Sequence, residues 1–119
     1  MIIYATQPNN IGSTFSVNST SFYLTDLQIE QILTRNNFKI ANDYEGLVAA
    51  SGTNFMRVMN DYPDITLYRT DNLHPTVAGS YLAACTIYYR MFNKSPYGNK
   101  FLPGSEYDTD KLISKVGNG

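Results

Sequence analysis

The residues with the clearest capacity for chemistry are Asp71 and His74, which stand three positions apart and include the only histidine of the chain. Histidine titrates near neutral pH, so its side chain can accept and return a proton. A carboxylate bonded to one ring nitrogen fixes the tautomer, leaves the other nitrogen free to act as a base, and stabilises the imidazolium that forms. The spacing is therefore compatible with an acid–base pair on one tight loop.

The same two residues have a purely structural interpretation. Asp71 or Thr70 is a suitable N-cap for the helix that follows, and His74 would then be an exposed turn residue. Because an Asp-x-x-His sequence is short and common, the spacing alone favours this interpretation. The cap hypothesis predicts an Asp71 carboxylate that bonds backbone amides and turns away from the imidazole.

The pattern around the pair predicts a strand before it and a helix after it. Ile65 to Tyr68 is a strand-like run, and Thr76 to Phe92 has apolar residues at helical spacing. Pro75 suits the first turn of that helix, where an absent N–H is tolerated. Gly79 predicts close packing against a neighbour, since glycine costs a helix about 1 kcal/mol relative to alanine. The pair would thus lie on a loop at the end of a strand, where α/β proteins tend to keep their sites.

Two further strands are predicted upstream of this region. Met1 to Thr6 is a continuous apolar run, typical of a parallel strand that is buried on both faces. Leu47 to Ala50 is a second short strand. Between them, Gln7 to Ser21 is rich in Asn, Ser and Thr and is predicted to be a loop. This loop would lie at the carboxyl end of the first strand, near the site.

The remaining segments predict helices. Thr25 and Gln28 have the spacing of a capping box, so a helix is predicted from there to Asn42. Gly52 to Asn54 is a candidate cap for another helix, and Thr109 to Val116 is a candidate short helix. The alternating order of strands and helices predicts an α/β domain with a parallel sheet and right-handed crossovers.

Residues 71–76 (Asp-Asn-Leu-His-Pro-Thr) and the helix that follows, with its early Gly79, resemble the last motif block of the SGNH (GDSL-type) serine hydrolases. The resemblance implies an incomplete three-layer α/β/α fold with a parallel, flavodoxin-like sheet. It implies that Asp71 and His74 serve a serine nucleophile in the cleavage of acyl esters, including acetyl groups on carbohydrates, without a cofactor or metal. It extends over residues 1–96, as the C-terminal half of such a domain, and leaves residues 97–119 as a C-terminal tail.

The other motif blocks of that family are not found in this sequence. The family nucleophile lies in a Gly-Asp-Ser block, whereas Gly12-Ser13-Thr14 lacks the acidic residue and lies too close to His74 for the intervening elements. The oxyanion hole of the family adds a Gly and an Asn, but Lys39 stands where the glycine would precede Asn42. The resemblance therefore implies that the serine and the oxyanion donors lie outside this chain. A missing N-terminal segment or a partner chain would supply them and complete the sheet.

Three functional hypotheses follow. The first is an esterase part that carries the Asp71 and His74 of the catalytic triad. The second is a truncated or degenerate hydrolase fold with a binding or structural role and no catalysis. The third is a small, unrelated α/β binding domain in which the two residues are caps.

Composition narrows the classes of partner. The chain has 119 residues, of which 43% are hydrophobic and 16% charged, as expected for one globular domain or part of one. A net charge of -1 without a basic cluster argues against a nucleic-acid surface. The sequence predicts no signal peptide and no membrane span, and it assigns no compartment. A single cysteine, Cys85, among apolar neighbours is predicted to be a buried hydrophobe, and one His with one Cys argues against a zinc site.

Overall fold

The computed structural model describes residues 1–97 and 109–116. The elements follow in the order β1 (Ile2–Ala5), β2 (Ser13–Val17), β3 (Thr20–Leu24), α1 (Asp26–Asp43), β4 (Leu47–Ala50), α2 (Ser51–Asp61), α3 (Val77–Phe92) and α4 (Thr109–Ile113). β1 and β4 form a parallel two-stranded sheet, and β2 and β3 form a separate antiparallel hairpin. The predicted α/β class is confirmed.

The parallel sheet is covered unequally on its two faces. Ile3 and Ala5 of β1 pair with Val48 and Ala50 of β4, and these side chains pack with Ala41 of α1. Because side chains alternate along a strand, the neighbouring residues point to the other face, where Ile2, Tyr4 and Leu47 are exposed. The prediction of a parallel strand at the start of the chain is confirmed. The prediction that both of its faces are buried is wrong for the described residues.

Helix α1 begins as its sequence predicts. The Thr25 hydroxyl oxygen accepts from the Gln28 backbone N–H at 3.2 Å, and the Gln28 side-chain oxygen accepts from the Thr25 N–H at 2.9 Å. Two N–H groups at the helix start, which have no partner inside the helix, are satisfied in this way. Helix α2 differs from its prediction, because it begins at Ser51 directly after β4 and has no side-chain cap. Gly52 to Asn54 therefore lie within the helix and do not cap it.

The prediction of a loop over Gln7 to Ser21 is wrong, and this is the largest difference between the sequence prediction and the structure. Much of this segment forms β2 and the start of β3, a hairpin that we call the aromatic hairpin (Ser13–Leu24). Its two-residue turn consists of Asn18 and Ser19, with φ of 49° and 66°. Positive φ at both positions is the geometry whose twist matches two antiparallel strands. Phe15 and Phe22 stack across the strands with ring centroids 5.9 Å apart.

The segment Ile65 to Tyr68 is not a strand, which corrects the prediction of a third one. Its only ladder contact among the described residues is an isolated antiparallel bridge between Tyr68 and Pro75. The Thr76 N–H still donates to the Leu67 carbonyl, but α3 begins at the next residue, so the returning chain cannot continue a ladder. Helix α3 is confirmed, but Thr76 is its N-cap and Pro75 precedes the cap, so the proline is not in the first turn.

The main core lies between α2, α3 and α4. Phe55, Leu82 and Leu112 are fully buried there, one from each helix. Burial of Cys85 in this core confirms its prediction as a small hydrophobic residue. Of the predicted C-terminal tail, residues 97–119, the positions 98–108 and 117–119 lie outside the described residues. The predicted short helix is present as α4, but it ends at Ile113 and not at Val116. Leu112, Ile113 and Val116 pack into the core.

Candidate functional site

Asp71 and His74 lie on a short turn that the Tyr68–Pro75 bridge encloses, just before α3. We call residues 69–76 the Asp–His loop. The turn is closed by backbone hydrogen bonds from the Arg69 N–H to the His74 carbonyl at 2.8 Å and from the Asn72 N–H to the Arg69 carbonyl at 2.9 Å. Asn72 has a φ of 60°, a left-handed conformation that asparagine adopts more readily than most residues. The local sequence therefore favours a tight turn at this position.

Within the turn, the Asp71 carboxylate bonds both the imidazole and the backbone. Its Oδ2 lies 2.6 Å from Nδ1 of His74. Its Oδ1 accepts from the N–H groups of Leu73 and His74, each at 3.0 Å. The cap hypothesis predicted a carboxylate directed to backbone amides and away from the imidazole. The amide bonds are present, but they belong to the turn itself, and the second oxygen is directed at the ring.

The charge of Asp71 fixes the role of each ring nitrogen. The bond with His74, together with the amide bonds from Leu73 and His74, lowers the pKa of the Asp71 carboxyl from 3.8 to about 2. The carboxylate is therefore an anion at neutral pH and can only accept. A neutral imidazole then carries its proton on Nδ1, which leaves the lone pair of Nε2 free. This is the tautomer that a general base in a triad requires.

The pair is open to solvent. The side chain of His74 is 67% exposed and that of Asp71 is 49% exposed. Within residues 1–97 and 109–116, no serine hydroxyl bonds to His74. Ser13, considered above as a nucleophile, accepts from the Asn9 side-chain amide at 2.7 Å in the aromatic hairpin. The arrangement can orient an imidazole whose side chain is largely open to solvent.

The Asp–His loop is held against the start of α3. The Thr76 hydroxyl accepts from the Gly79 N–H at 3.2 Å and donates to the Thr66 carbonyl at 2.7 Å, so one side chain caps the helix and ties it to the preceding segment. A side chain at Gly79 would overlap the Leu67 carbonyl oxygen and approach Pro75 Cβ to 2.9 Å. The close packing predicted for Gly79 is confirmed.

Two long-range contacts hold the loop at the carboxyl end of β1. The Asn10 N–H donates to the Asn72 carbonyl at 3.0 Å, and the Tyr68 hydroxyl donates to the Pro8 carbonyl at 2.8 Å. Burial, with a smaller contribution from Asp26, raises the pKa of Tyr68, which keeps its hydroxyl a donor. No local sequence signal predicts the roles of Asn10 and Tyr68, because each bonds a residue that is far away along the chain.

The other residues considered for chemistry lie apart from this loop. Asn42 is near the end of α1, beside the start of β4, at the opposite end of the sheet from the loop that follows β1. Cys85 is buried and burial raises the pKa of its thiol, so it remains protonated. Within the part of the chain that the structure describes, no cluster of three or more His, Cys, Asp or Glu side chains could hold a metal ion.

No helix of the described ranges has both the length and the apolar character needed to cross a membrane. Comparison of the chain with protein-family models, with curated proteins and with solved structures finds no match. The geometry of the Asp–His loop and the resemblance of its sequence are therefore the basis for a functional proposal.

Proposed function

We propose that this chain supplies the acid and the base of an SGNH-type serine esterase. Asp71 orients His74, and Nε2 of His74 accepts the proton of a serine hydroxyl that lies outside this chain. The bond of 2.6 Å between Nδ1 of His74 and Oδ2 of Asp71 carries the proposal. Its exposure and its place at the carboxyl end of β1 support it, because α/β proteins bind ligands at that end of the sheet.

The proposed reaction is ester hydrolysis through an acyl-serine. As His74 takes the serine proton, the serine oxygen attacks the ester carbonyl, and the alcohol leaves with the proton that His74 returns. Water then attacks the acyl-serine by the same exchange of protons and releases the acid. The oxyanion donors would also lie outside this chain. No cofactor or metal enters the scheme, and the substrates would be acyl or acetyl esters, including acetylated carbohydrates.

The finer fold proposal is a three-layer α/β/α domain with a parallel, flavodoxin-like sheet, completed by a missing N-terminal segment or a partner chain. Parallel sheets are normally covered on both faces. The exposed Ile2, Tyr4 and Leu47 on one face of the β1–β4 sheet support the addition of further elements there. Those elements would bring the nucleophile with them.

A second candidate is a non-catalytic module with a binding or structural role. The observation that favours it is that no serine hydroxyl bonds His74 among the described residues. In that case the Asp71–His74 bond would serve only to shape the turn. The two candidates make opposite predictions for the same variant.

The test joins this chain to a segment, encoded upstream of Met1 or on a partner, that carries a strand followed by Gly-Asp-Ser. Hydrolysis of p-nitrophenyl acetate by the assembly should fall by roughly 10³-fold or more for His74→Ala, with folding retained by circular dichroism. The matched control is Asp64→Asn, an exposed acid outside the loop, which should hydrolyse at the wild-type rate. An unchanged rate for His74→Ala would favour the non-catalytic module.

A fluorophosphonate probe gives an independent check of the missing nucleophile. We expect it to label a serine in the added segment and none in this chain. Labelling of Ser13 would contradict the proposal that the nucleophile lies outside the chain.

A further inference from the structure

The aromatic hairpin has a face that no other part of the described chain covers. Strands β2 and β3 form a sheet of their own, and within residues 1–97 and 109–116 neither packs extensively against another helix or strand. Phe15, Val17 and Phe22 lie on one face of this sheet, because side chains alternate along a strand. Their exposed fractions are 41%, 56% and 42%. A sheet normally needs three or more strands with a hydrophobic face to be stable by itself, so the hairpin lacks partners.

The outer edge of β2 offers backbone groups in a defined pattern. The turn between Val17 and Thr20 has two residues, so these flanking residues bond each other, and bonded pairs then alternate with unbonded pairs along the hairpin. Phe15 consequently bonds β3, whereas the N–H and carbonyl groups of Thr14 and Ser16 point away from it. Both residues are exposed, and neither has a backbone bond to another part of the described chain. A further strand could therefore pair with β2 at these two positions.

The usual protections of an edge strand are absent from this hairpin. Natural edge strands are commonly blocked by charged side chains, by proline or by a bulge. Residues 13–24 contain no charged residue and no proline, and β2 pairs with β3 residue by residue, without a bulge. Because the edge has no charge, a charged strand would gain no ion pair there, whereas a second copy of the same strand would meet no repulsion. The edge is thus suited to a neutral strand.

We propose that β2 pairs antiparallel with β2 of a second copy of this chain, so that the two hairpins form one continuous sheet. The strand is complementary to itself. When every residue of two antiparallel β2 strands is paired, Phe15 lies opposite the second copy's Phe15, and Thr14 lies opposite the second copy's Ser16. Thr14 and Ser16 are the residues whose backbone groups point outward, so each Thr14–Ser16 pair between the copies exchanges both of its N–H···O bonds.

The side chains also favour a second copy as the occupant. Pairing about Phe15 extends the stacked Phe15 and Phe22 rings into a row that crosses both copies on one face. On the other face it places Thr14 beside Ser16, a cross-strand pair that contributes favourably in sheets. A contact of one strand edge and its aromatic side chains is small beside the interfaces of permanent complexes. The dimer should therefore be weak, and its population should depend on the concentration of the chain.

Sedimentation equilibrium of the full chain over a concentration series measures this association. We expect the average mass to rise from that of one chain toward that of two. The decisive variants are Ser16→Pro and Ser21→Pro. The two serines lie opposite each other in the hairpin and bond through their hydroxyls, and proline is tolerated where the N–H of an edge strand points outward. The two changes should therefore disturb the hairpin alike.

The two proline variants differ in the edge that they block. Ser16→Pro removes a bond at the proposed interface, whereas Ser21→Pro removes an N–H at the outer edge of β3. We expect the association constant of Ser16→Pro to be at least about tenfold lower than that of Ser21→Pro. The proposal does not rest on the proposed hydrolysis, so His74→Ala should dimerise as the wild type does.

A second pair of variants tests the register and keeps every backbone bond. Thr14→Lys combined with Ser16→Glu places opposite charges face to face across the proposed interface, whereas Thr14→Glu combined with Ser16→Glu places like charges there. We expect the first combination to dimerise at least as well as the wild type and the second to remain monomeric.

Three results would overturn the proposal. The first is the mass of a single chain at every concentration up to about 1 mM, which would leave the edge to a strand of another protein. The second is an equal association constant for Ser16→Pro and Ser21→Pro. The third is equal association of the two charge combinations, because opposite and like charges cannot be equivalent at residues that face each other.

Discussion

In the Asp–His loop, polar groups bond to distant parts of the chain, whereas the aromatic hairpin bonds mainly to itself. The Asn72 carbonyl of the loop accepts from Asn10, and Thr76 bonds Thr66. In the hairpin, the Ser16 and Ser21 hydroxyls bond each other at 2.8 Å, and the Phe15 and Phe22 rings stack. Strands β2 and β3 contact each other far more than they contact any other element.

The two exposed turns are therefore held in different ways: the Asp–His loop by bonds to other parts of the domain, and the aromatic hairpin by bonds within itself. The geometry of the Asp–His loop is a property of the folded domain, so changes in the neighbouring helices should disturb it. The hairpin depends on its own turn and cross-strand pairs, and isolated two-stranded hairpins are only marginally stable. It should therefore open and close without unfolding the core.

The largest effect that would test this comparison is expected for Gly79→Ala. In an open helix, alanine would gain about 1 kcal/mol over glycine. At this site the new methyl group would overlap the Leu67 carbonyl oxygen, which already accepts from the Thr76 N–H at 2.9 Å and cannot move freely. Overpacking of this kind costs about 1–3 kcal/mol, so we expect a lower free energy of unfolding in urea denaturation.

The control for this variant is Ser80→Ala, one position further along α3 and exposed. It should change the free energy of unfolding by less than about 0.5 kcal/mol. If Gly79→Ala is as stable as Ser80→Ala, or more stable, helix propensity outweighs the contact with Leu67. The loop would then be less dependent on α3 than we infer.

A second effect concerns pH. The folded-state pKa of Asp71, about 2, lies below its ordinary value of 3.8. The carboxylate therefore contributes stability that is complete above pH 4 and is lost as the pH falls through the folded-state pKa. The difference in unfolding free energy between wild type and Asp71→Asn should shrink over that window. Urea unfolding at a series of pH values measures this difference, and a difference that stays constant with pH would contradict the assigned bonds.

The aromatic hairpin serves as the internal reference when backbone amide signals are followed as a function of pH. Residues 13–24 contain no Asp, Glu, Lys, Arg or His, so no group inside the hairpin titrates between pH 2 and pH 5. Backbone amide signals of Leu73 and His74, whose N–H groups donate to Asp71, should move with the Asp71 pKa. Those of β2 and β3 should stay in place. Equal movement in both regions would mean that the hairpin and the Asp–His loop are coupled.

The parts of the fold that the sequence predicted correctly are those whose signals are local. Thr25 and Gln28 are three residues apart, and their capping box formed as expected. The apolar spacing in α1 and α3 likewise predicted helices that the structure contains. Asp71 and His74 are also three residues apart, so their contact lies within the reach of a single turn, whereas the place of that turn in the domain depends on long-range bonds such as the one between Asn10 and Asn72.

The parts that the sequence could not predict depend on distant partners or on atypical turn residues. Ile65 to Tyr68 has strand-like composition, but a strand needs a ladder partner, and within residues 1–97 and 109–116 the segment pairs only through Tyr68 with Pro75. The contact between Asn10 and Asn72 joins segments that are remote in sequence. The hairpin was missed because Asn18-Ser19 lacks the glycine that usually marks a two-residue turn. Its Ser- and Thr-rich flanks are also typical of loops.

The smallest effect follows from that turn. Ser19 has a φ of 66°, a left-handed conformation that costs a residue with a side chain roughly 1 kcal/mol more than glycine. Ser19→Gly should therefore stabilise the hairpin by about 0.5–1 kcal/mol and slow amide hydrogen exchange in β2 and β3. The same change at Ser21, which is in the strand and bonds Ser16, should accelerate exchange in those strands. If the hairpin opens independently, amides of β2 and β3 should exchange with a lower free energy of opening than amides of α2 and α3. Equal free energies of opening in the two regions would instead make the hairpin part of the same cooperative unit as the core, and with it part of what holds the Asp–His loop.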